Sequence, residues 1–272
     1  YWISILTKPG NMIRKETAMR RFTFALVAVI IVCAFSAALI INTAVPHIDE
    51  FLQVELITVE GEEELPGITF CHETGTLFAV SDKGALIEIN SKGSVLRRII
   101  VKGAEDIEGI TFGLNSFTVV DEETGRVIRF KMPVSNTLDL ATADAHVLLP
   151  DSDNDGLEGI GYSKVDAKWI VVKEKEPPEI YVLSFRPRPK FTIPFDNLTY
   201  PFEDLAGVAV HPNGNIVLLS EAETKAYELN RDGQIIAELA IKMNQPEGIT
   251  FDDQGNLLII GEPAELGVYK RK

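Results

Sequence analysis

Hydrophobic residues recur along this chain in short runs separated by turn residues, and five of the runs begin in the same way. Each begins with a glycine that is followed directly by Ile or Val. The glycines are spaced 42, 50, 48 and 41 residues apart, and they are Gly67, Gly109, Gly159, Gly207 and Gly248. A repeat of about forty to fifty residues built from short strands is typical of β-propeller blades. The pattern therefore predicts an all-β, five-bladed propeller. A sixth blade is less favoured, because the inserts at 132–146 and 186–201 are too short for four more strands.

The two ends of the repeat array predict how the propeller closes. The fifth repeat has room for three strands only, ending near Tyr269. An alternating run that reads as a strand, Leu52–Val59, comes before the first repeat. We expect its part Val54–Val59 to supply the missing outer strand, which would tie the ends together and remove open sheet edges. The predicted propeller domain spans 51–272 and follows a short linker at 42–50.

An apolar segment precedes the domain. Phe22–Ile41 contains no charged residue, and as a helix it would span roughly 30 Å, the hydrocarbon thickness of a bilayer. Arg20 and Arg21 come directly before it, so the positive-inside rule assigns residues 1–21 to the cytoplasm. We therefore expect a single-pass anchor in the inner membrane, with the propeller on the periplasmic side. A cleaved signal peptide is the alternative.

Charge and cysteine content narrow the function classes. The formal net charge is −14; residues 1–46 hold five basic residues and one acidic residue, so the remainder has 21 basic and 39 acidic residues and a charge of −18. A domain this acidic repels nucleic acid and attracts cations. The only two cysteines are Cys33 in the apolar segment and Cys71 in the domain, which predicts no disulfide framework.

Acidic residues recur at two positions of the repeat. One position follows the second strand of every repeat and holds Asp82, Glu122, Glu174, Glu221 and Glu262. The other precedes the glycine in three repeats and holds Glu108, Glu158 and Glu247. Because the inner strands of a propeller line its channel, these carboxylates should converge on one face, where they would bind Ca²⁺. The alternative is structural: each carboxylate accepts hydrogen bonds from backbone amides of a neighbouring blade.

Two further segments suggest ligand binding. Asp151, Asp153 and Asp155 alternate before a glycine, as in the first half of an Asp-x-Asp-x-Asp-Gly calcium loop. No Glu stands at the twelfth position, so the loop is not an EF-hand, and an Asp-rich turn without metal is the alternative. The run from Lys173 to Pro178 carries Lys173 and Lys175, which would bind phosphate beside a metal or would simply be solvated.

Several segments carry a resemblance to a known family. They are Glu158–Tyr162, Lys173–Pro177 with Ile180 and Tyr181, and Gln245–Ile249 with Gly261–Pro263. With them the chain resembles, from about Leu52 to Lys270, the YjiK or SdiA-regulated domain family of bacterial membrane-anchored propellers. The resemblance implies an N-terminal anchor, a propeller outside the cytoplasmic membrane and a link to calcium. The chain is also similar to calcium-dependent β-propeller phytases, but it departs from the acidic pattern at Pro66 and Ala206.

These observations lead to one expectation and two alternatives for function. We expect an envelope-anchored, calcium-binding propeller with an interaction or calcium-homeostasis role and an unidentified envelope partner. The first alternative is a phytase-like, calcium-dependent phosphoester hydrolase, in which Ca²⁺ would polarise a phosphoryl oxygen and Lys173 or Lys175 would neutralise charge. The second is a docking platform that binds no ion.

Overall fold

The computed structural model describes residues 45–81, 83–148, 156–184, 190–192 and 202–272. The predicted anchor, Phe22–Ile41, lies outside these residues. Within them, we find no helix with the length and apolar character that crossing a bilayer requires. The propeller is a compact unit from Pro46 to Lys272.

Five sheets follow one another along the chain, and each starts at or near one of the repeated glycines. This confirms the predicted five-bladed propeller.

Blade one consists of β2 (Ile68–Cys71), β3 (Thr76–Ser81), β4 (Ala85–Ile89) and β5 (Val95–Lys102). Blade two consists of β6 (Ile107–Gly113), β7 (Ser116–Asp121), β8 (Arg126–Phe130) and β10 (Asp144–Val147). Blade three consists of β11 (Leu157–Ser163), β12 (Lys168–Lys173), β13 (Glu179–Ser184) and β14 (Lys190–Thr192). Blade four consists of β15 (Gly207–Val210), β16 (Ile216–Ser220), β17 (Lys225–Leu229) and β18 (Ile235–Ala240).

Blade five joins the two ends of the domain. Its strands are β19 (Pro246–Phe251), β20 (Leu257–Gly261), β21 (Glu265–Arg271) and, outermost, β1 (Phe51–Thr58). β1 runs antiparallel to β21. The predicted closure by the strand before the first repeat is therefore confirmed, and β1 is shifted by only one residue from the alternating run Leu52–Val59.

The insert of the second repeat does more than supply the outer strand β10. A short strand within it, β9 (Thr137–Asp139), pairs in parallel with β5 of blade one. β9 leads into a 3-10 turn (Leu140–Thr142) whose first residue, Leu140, is buried. The insert thus covers part of an outer sheet edge that would otherwise be open to pairing with another chain.

The core lies between neighbouring blades, because each sheet buries both of its faces. Between blades one and two, the rings of Phe78 and Phe117 lie 4.8 Å apart between centroids, and Phe117 stacks on Phe130 at 5.6 Å. Phe78 and Phe117 have no exposed surface. Aromatic pairs of this kind contribute about 0.5–1.5 kcal/mol beyond the area they bury.

The chain enters the propeller at a buried carboxylate on blade four. The Glu228 side chain accepts hydrogen bonds from the backbone N–H of Ile48 at 3.0 Å and from Nδ2 of Asn215 at 2.6 Å, and it lies 3.0 Å from Nδ1 of His47. Burial raises the pKa of Glu228, but these hydrogen bonds outweigh burial and hold its pKa below the ordinary value. The first turn of the domain (Ile48–Glu50) is therefore fixed to blade four.

The repeated glycines bring the five inner strands into backbone contact around the axis. A β-carbon on any of them would lie under 3.0 Å from a backbone atom of the next blade. The nearest such atoms around the ring are the Glu108 O (to Gly67, 2.5 Å), Glu158 O (to Gly109, 2.3 Å), Val208 N (to Gly159, 2.7 Å), Glu247 O (to Gly207, 2.3 Å) and Ile68 N (to Gly248, 2.9 Å). Since real β-carbons do not come so close to backbone atoms, glycine is required at these five positions.

Replacing one of these glycines should destabilise the whole propeller. We expect Gly207→Ala to lower the free energy of unfolding by about 3 kcal/mol, because its β-carbon would lie 2.3 Å from the carbonyl oxygen of Glu247. Urea denaturation followed by circular dichroism measures the change. The control is Gly75→Ala, where nothing lies within 4 Å and only the left-handed φ of +70° opposes a side chain, costing about 1 kcal/mol. Equal losses in the two variants would contradict backbone contact at the axis.

Candidate metal centre

The glutamates that precede the glycines lie at β-bulges. In blade two the register between β6 and β7 shifts between Ile107 and Gly109, so that Glu108 is the extra residue. Corresponding shifts occur at Glu158 in blade three and at Glu247 in blade five. A bulge twists its strand locally and re-aims a side chain, and bulges are frequent beside functional sites. In blades one and four, Pro66 and Ala206 replace the glutamate, and the paired ladders begin after them, at Ile68 and Gly207.

Five carboxylates come together at this end of the channel. They form two overlapping groups, and within each group one oxygen from every residue lies within 4.8 Å of the others. The first group is Asp106, Glu108 and Glu122, and the second is Glu122, Glu158 and Glu174. We refer to these five residues as the acidic mouth. A set of half-buried carboxylate oxygens is the donor chemistry that Ca²⁺ prefers, so the residues present fit this ion.

The carboxylates of the acidic mouth oppose one another's ionisation. Burial raises the pKa of Glu158 well above the ordinary value, and the charges of Glu108, Glu122, Glu174 and Glu247 raise it further. Without a cation, the folded protein at neutral pH therefore carries an electrostatic penalty.

The ionisation of Glu122 is opposed by the same two effects, burial and neighbouring negative charge. Burial raises its pKa, the backbone N–H of Gly156 lowers it, and the charges of Asp106 and Glu174 raise it. Glu122 is also the residue shared by the two groups. A divalent cation beside Glu122 would thus relieve repulsion in both groups at once.

Hydrogen bonds from other protein groups already satisfy some carboxylate oxygens of the acidic mouth. One oxygen of Glu122 accepts a hydrogen bond of 3.0 Å from the backbone N–H of Gly156, and Nζ of Lys175 donates to Glu174 at 2.8 Å. The structural alternative, in which each carboxylate accepts hydrogen bonds from backbone amides of a neighbouring blade, therefore holds for one oxygen of Glu122. The ammonium of Lys175 offsets part of the negative charge.

The other acids that follow second strands lie apart from the two groups. Glu221 is close enough to Asp204 and Glu262 for their charges to raise its pKa, although burial is the larger cause. The pKa of Glu262 is likewise raised, first by burial and then by the charge of Glu64. The described part of the structure thus brings together Glu108, Glu122, Glu158 and Glu174 of the predicted ligands. It leaves Glu221, Glu247 and Glu262 outside the oxygen clusters.

Four predicted ligands cannot be placed. Asp82 and the alternating aspartates Asp151, Asp153 and Asp155 lie outside the described residues. Gly156, which follows them directly, contacts the acidic mouth through its bond to Glu122. A β-carbon on Gly156 would lie 2.4 Å from Cγ of Glu122, so the absence of a side chain permits this contact.

The two lysines expected to bind phosphate are both engaged locally. Nζ of Lys173 donates to the backbone oxygens of Lys175 and, at 3.3 Å, of Pro177. Lys175 pairs with Glu174 at 2.7 Å. In this arrangement Lys173 supports its own loop, and Lys175 neutralises a carboxylate.

Sequence reasoning missed Asp106. It lies three residues before Gly109, and Glu64 and Asp204 hold the same place in blades one and four. That recurrence was a signal that could have identified it. In blade four the residue is structural, because Asp204 accepts hydrogen bonds from the hydroxyl of Ser220 and from the backbone N–H of Glu221.

The chain also matches a described protein family over most of its length. The SdiA-regulated family matches residues 50–269. The chain belongs to this family. The family match covers all five blades of the SdiA-regulated propeller and confirms the resemblance found in the sequence.

Solved structures of other proteins share the fold of this SdiA-regulated propeller at low identity. Glutaminyl cyclase from Myxococcus xanthus is 12% identical with a TM-score of 0.57, over 81% of this chain and 95% of that chain. A chain of the nidogen/laminin complex is 16% identical with a TM-score of 0.53, over 74% of this chain and 73% of that chain. The gluconolactonase XC5397 from Xanthomonas campestris is 16% identical with a TM-score of 0.50, over 78% and 88%. These likenesses show the fold alone, so no activity is transferred from them.

Neutralising Glu158 should stabilise the metal-free protein. Because its folded pKa is raised, Glu158 favours folding at a pH below its unfolded pKa, and that contribution is lost as the pH rises through the folded pKa. We expect Glu158→Gln in a chelating buffer at pH 7 to raise the melting temperature by a few degrees, and the difference from wild type to shrink towards pH 5. Differential scanning calorimetry measures both. Glu73→Gln, on an exposed turn, is the control. A variant that melts below wild type at pH 7, with a gap independent of pH, would show that Glu158 is not destabilised by its neighbours.

Proposed function

We propose that this protein is a calcium-binding β-propeller held at the cell envelope by its apolar N-terminal segment. The observation that carries the proposal is the acidic mouth. It consists of five half-buried carboxylates from two adjacent blades, whose oxygens lie close enough together to share bound cations. Hard oxygen donors of this number suit Ca²⁺, which takes six to eight oxygen ligands. Asp106 and Glu108 would hold one side of the ion site, and Glu158 and Glu174 the other, with Glu122 between them.

Electrostatics supports a cation rather than a purely structural cluster. The charge of −18 on the residues after 46 raises the local concentration of cations near the domain. Repulsion within the acidic mouth then falls when an ion binds, so binding and folding stabilise each other. Such a module would respond to extracytoplasmic calcium, either as a calcium-homeostasis component or by presenting a calcium-dependent surface to an envelope protein.

The proposed location rests on the sequence of the segment that precedes the domain. Phe22–Ile41 is long enough to span a bilayer, and basic residues lie on its N-terminal side. This arrangement supports an inner-membrane anchor with the propeller on the periplasmic side. Millimolar calcium is found outside the cytoplasm rather than inside it. The calcium sites of extracellular modules are weak and bind the ion in that concentration range.

Calcium should stabilise the full chain increasingly as its free concentration rises above the dissociation constant. At a free concentration 100 times the dissociation constant, a ligand that binds only the native state adds about 2.7 kcal/mol. We expect the melting temperature of the purified full chain to rise with Ca²⁺ relative to a chelating buffer. Isothermal titration calorimetry should give at least about tenfold weaker binding for Glu122→Gln and Glu174→Gln. Glu73→Gln, whose side chain is exposed on the turn after β2, is the matched control.

Three results would contradict calcium binding at this site. The first is a melting temperature that does not change up to millimolar Ca²⁺. The second is an affinity that falls equally in Glu73→Gln and in the two acidic-mouth variants. The third is the same affinity for Mg²⁺ as for Ca²⁺, because Mg²⁺ demands a tighter, near-octahedral set of ligands than this flexible carboxylate cluster offers.

The proposed location has its own test. A reporter that is active only in the periplasm, fused after Lys272, should be active and should sediment with membranes that resist carbonate washing. Activity in the soluble periplasmic fraction, with a new N-terminus near Ala38 or Ala44, would mean that the segment is a cleaved signal. An inactive reporter would overturn export.

A further inference from the structure

The channel has a second mouth, where the inner strands end. A cavity of about 460 Å³ lies there, and all five blades line it. Its floor is formed by the residue that follows each repeated glycine: Ile68, Ile110, Ile160, Val208 and Ile249. At the level of the glycines themselves only about 10 Å³ of space remains. The cavity is therefore nearly closed at its base, and its floor lies about 7 Å, two strand residues at ~3.3 Å each, beyond the glutamates that precede the glycines.

Aromatic residues form the walls of this cavity. They occur at the same repeat position in four of the five blades, two residues after the floor residue, and are Phe70, Phe112, Tyr162 and Phe251. Blade four has Val210 in this place, so the fold itself accepts a smaller residue. Phe70, Tyr162 and Phe251 are partly exposed, whereas Phe112 is 5% exposed. We call the floor and these walls the aromatic cup.

The packing around the cup holds the walls in place. The ring of Tyr162 lies 5.0 Å from that of Trp169, and the ring of Phe112 lies 4.9 Å from that of Phe117. The hydroxyl of Thr69 accepts a 3.0 Å hydrogen bond from the backbone N–H of Phe112 in the next blade. The cup is thus a preformed cavity whose floor and walls are apolar and whose lining also includes Thr69, Thr111 and Thr250, and its size is that of a small-molecule site.

The charged side chains at the rim of the cavity favour one class of ligand over others. The permanently charged side chains that line the cavity are Lys164, Asp252 and Asp253, together with the titratable His72. The rim therefore carries two aspartates against one lysine, within a domain that is itself strongly acidic. A field of this sign concentrates cations, and aromatic rings attract cations through their electron-rich faces. Asp252 already accepts hydrogen bonds from the amides of its own turn, so the rim lacks a ring of free carboxylates that would strip water from a metal ion.

We propose that the aromatic cup binds an organic cation, a small molecule with an apolar body and an amine or quaternary ammonium head. The apolar body would fill the space above the Ile and Val floor. The cationic head would lie among the aromatic walls and near Asp253. This site is distinct from the acidic mouth and does not depend on calcium binding there.

Three probes that share a benzene ring and differ in charge test the proposal. They are benzyltrimethylammonium, benzyl alcohol and phenylacetate, each titrated calorimetrically into the full chain in saturating Ca²⁺ and again in chelator. We expect the cation to bind about tenfold more tightly than the neutral alcohol, and the anion to bind more weakly than either. Equal affinity for the three probes would overturn the proposal. Binding of the cation that disappears in excess Ca²⁺ would also overturn it, since that result would assign the cation to the acidic mouth.

Two variants locate the site. Tyr162→Leu keeps an apolar side chain but removes a ring, and Asp253→Asn removes one rim charge; each should weaken benzyltrimethylammonium binding about three- to tenfold. Asp232→Asn, on the exposed turn between β17 and β18, is the matched control and should bind as wild type does. The melting temperature of all three variants in chelating buffer should stay within a few degrees of the wild-type value, which shows that they fold. Unchanged cation affinity in both cup variants, or an equal loss in Asp232→Asn, would place the cation elsewhere.

Discussion

The structure depends on one steric constraint: five glycines bring the inner strands into backbone contact around the axis. Each glycine faces a backbone atom of the next blade at a distance that excludes a side chain, and the fifth faces the first, so the ring is closed. This contact sets the diameter of the channel. It also crowds whatever side chains lie next to the glycines. The mutual repulsion of Glu108 and Glu158 is therefore a direct consequence of how the blades pack.

The same closed ring gives the two ends of the channel different chemistry. At one end the strands begin, and bulges direct carboxylates into a shared space. At the other end the strands finish, and the residues two positions beyond the floor are aromatic in four blades. Only about 10 Å³ of space remains between the ends, at the level of the glycines. The strands that connect the two ends, and the electric field between them, are therefore the direct routes by which one end influences the other.

Much of this arrangement could be predicted from the sequence, because the repeat is a property of local spacing. The glycine period gave the number of blades, and the alternating strand before the first blade gave the closure. The convergence of Glu108, Glu122, Glu158 and Glu174 also followed from equivalent repeat positions. Asp106 was missed because its repeat position is acidic in only three blades and holds Gly156 and Gln245 in blades three and five, which weakens the pattern. The bulges and the parallel strand β9 depend on how separate segments pair, which no local pattern encodes, and the engagement of Lys173 depends on the conformation of its own loop. The predicted anchor and the aspartates of 151–155 stay predictions.

The pairing of β1 with β21 has a consequence for how the chain reaches this fold. Phe51 and Arg271 are partners in one ladder, so blade five contains both the first strand and the last strand of the domain. Contacts between segments so far apart in sequence form slowly, because a long loop must close before they stabilise anything. During synthesis, the first strand to emerge has no partner until nearly the whole domain has followed it. Until then Leu52, Val54 and Leu56 belong to an unpaired apolar strand, and this stage is when the chain is most exposed to aggregation.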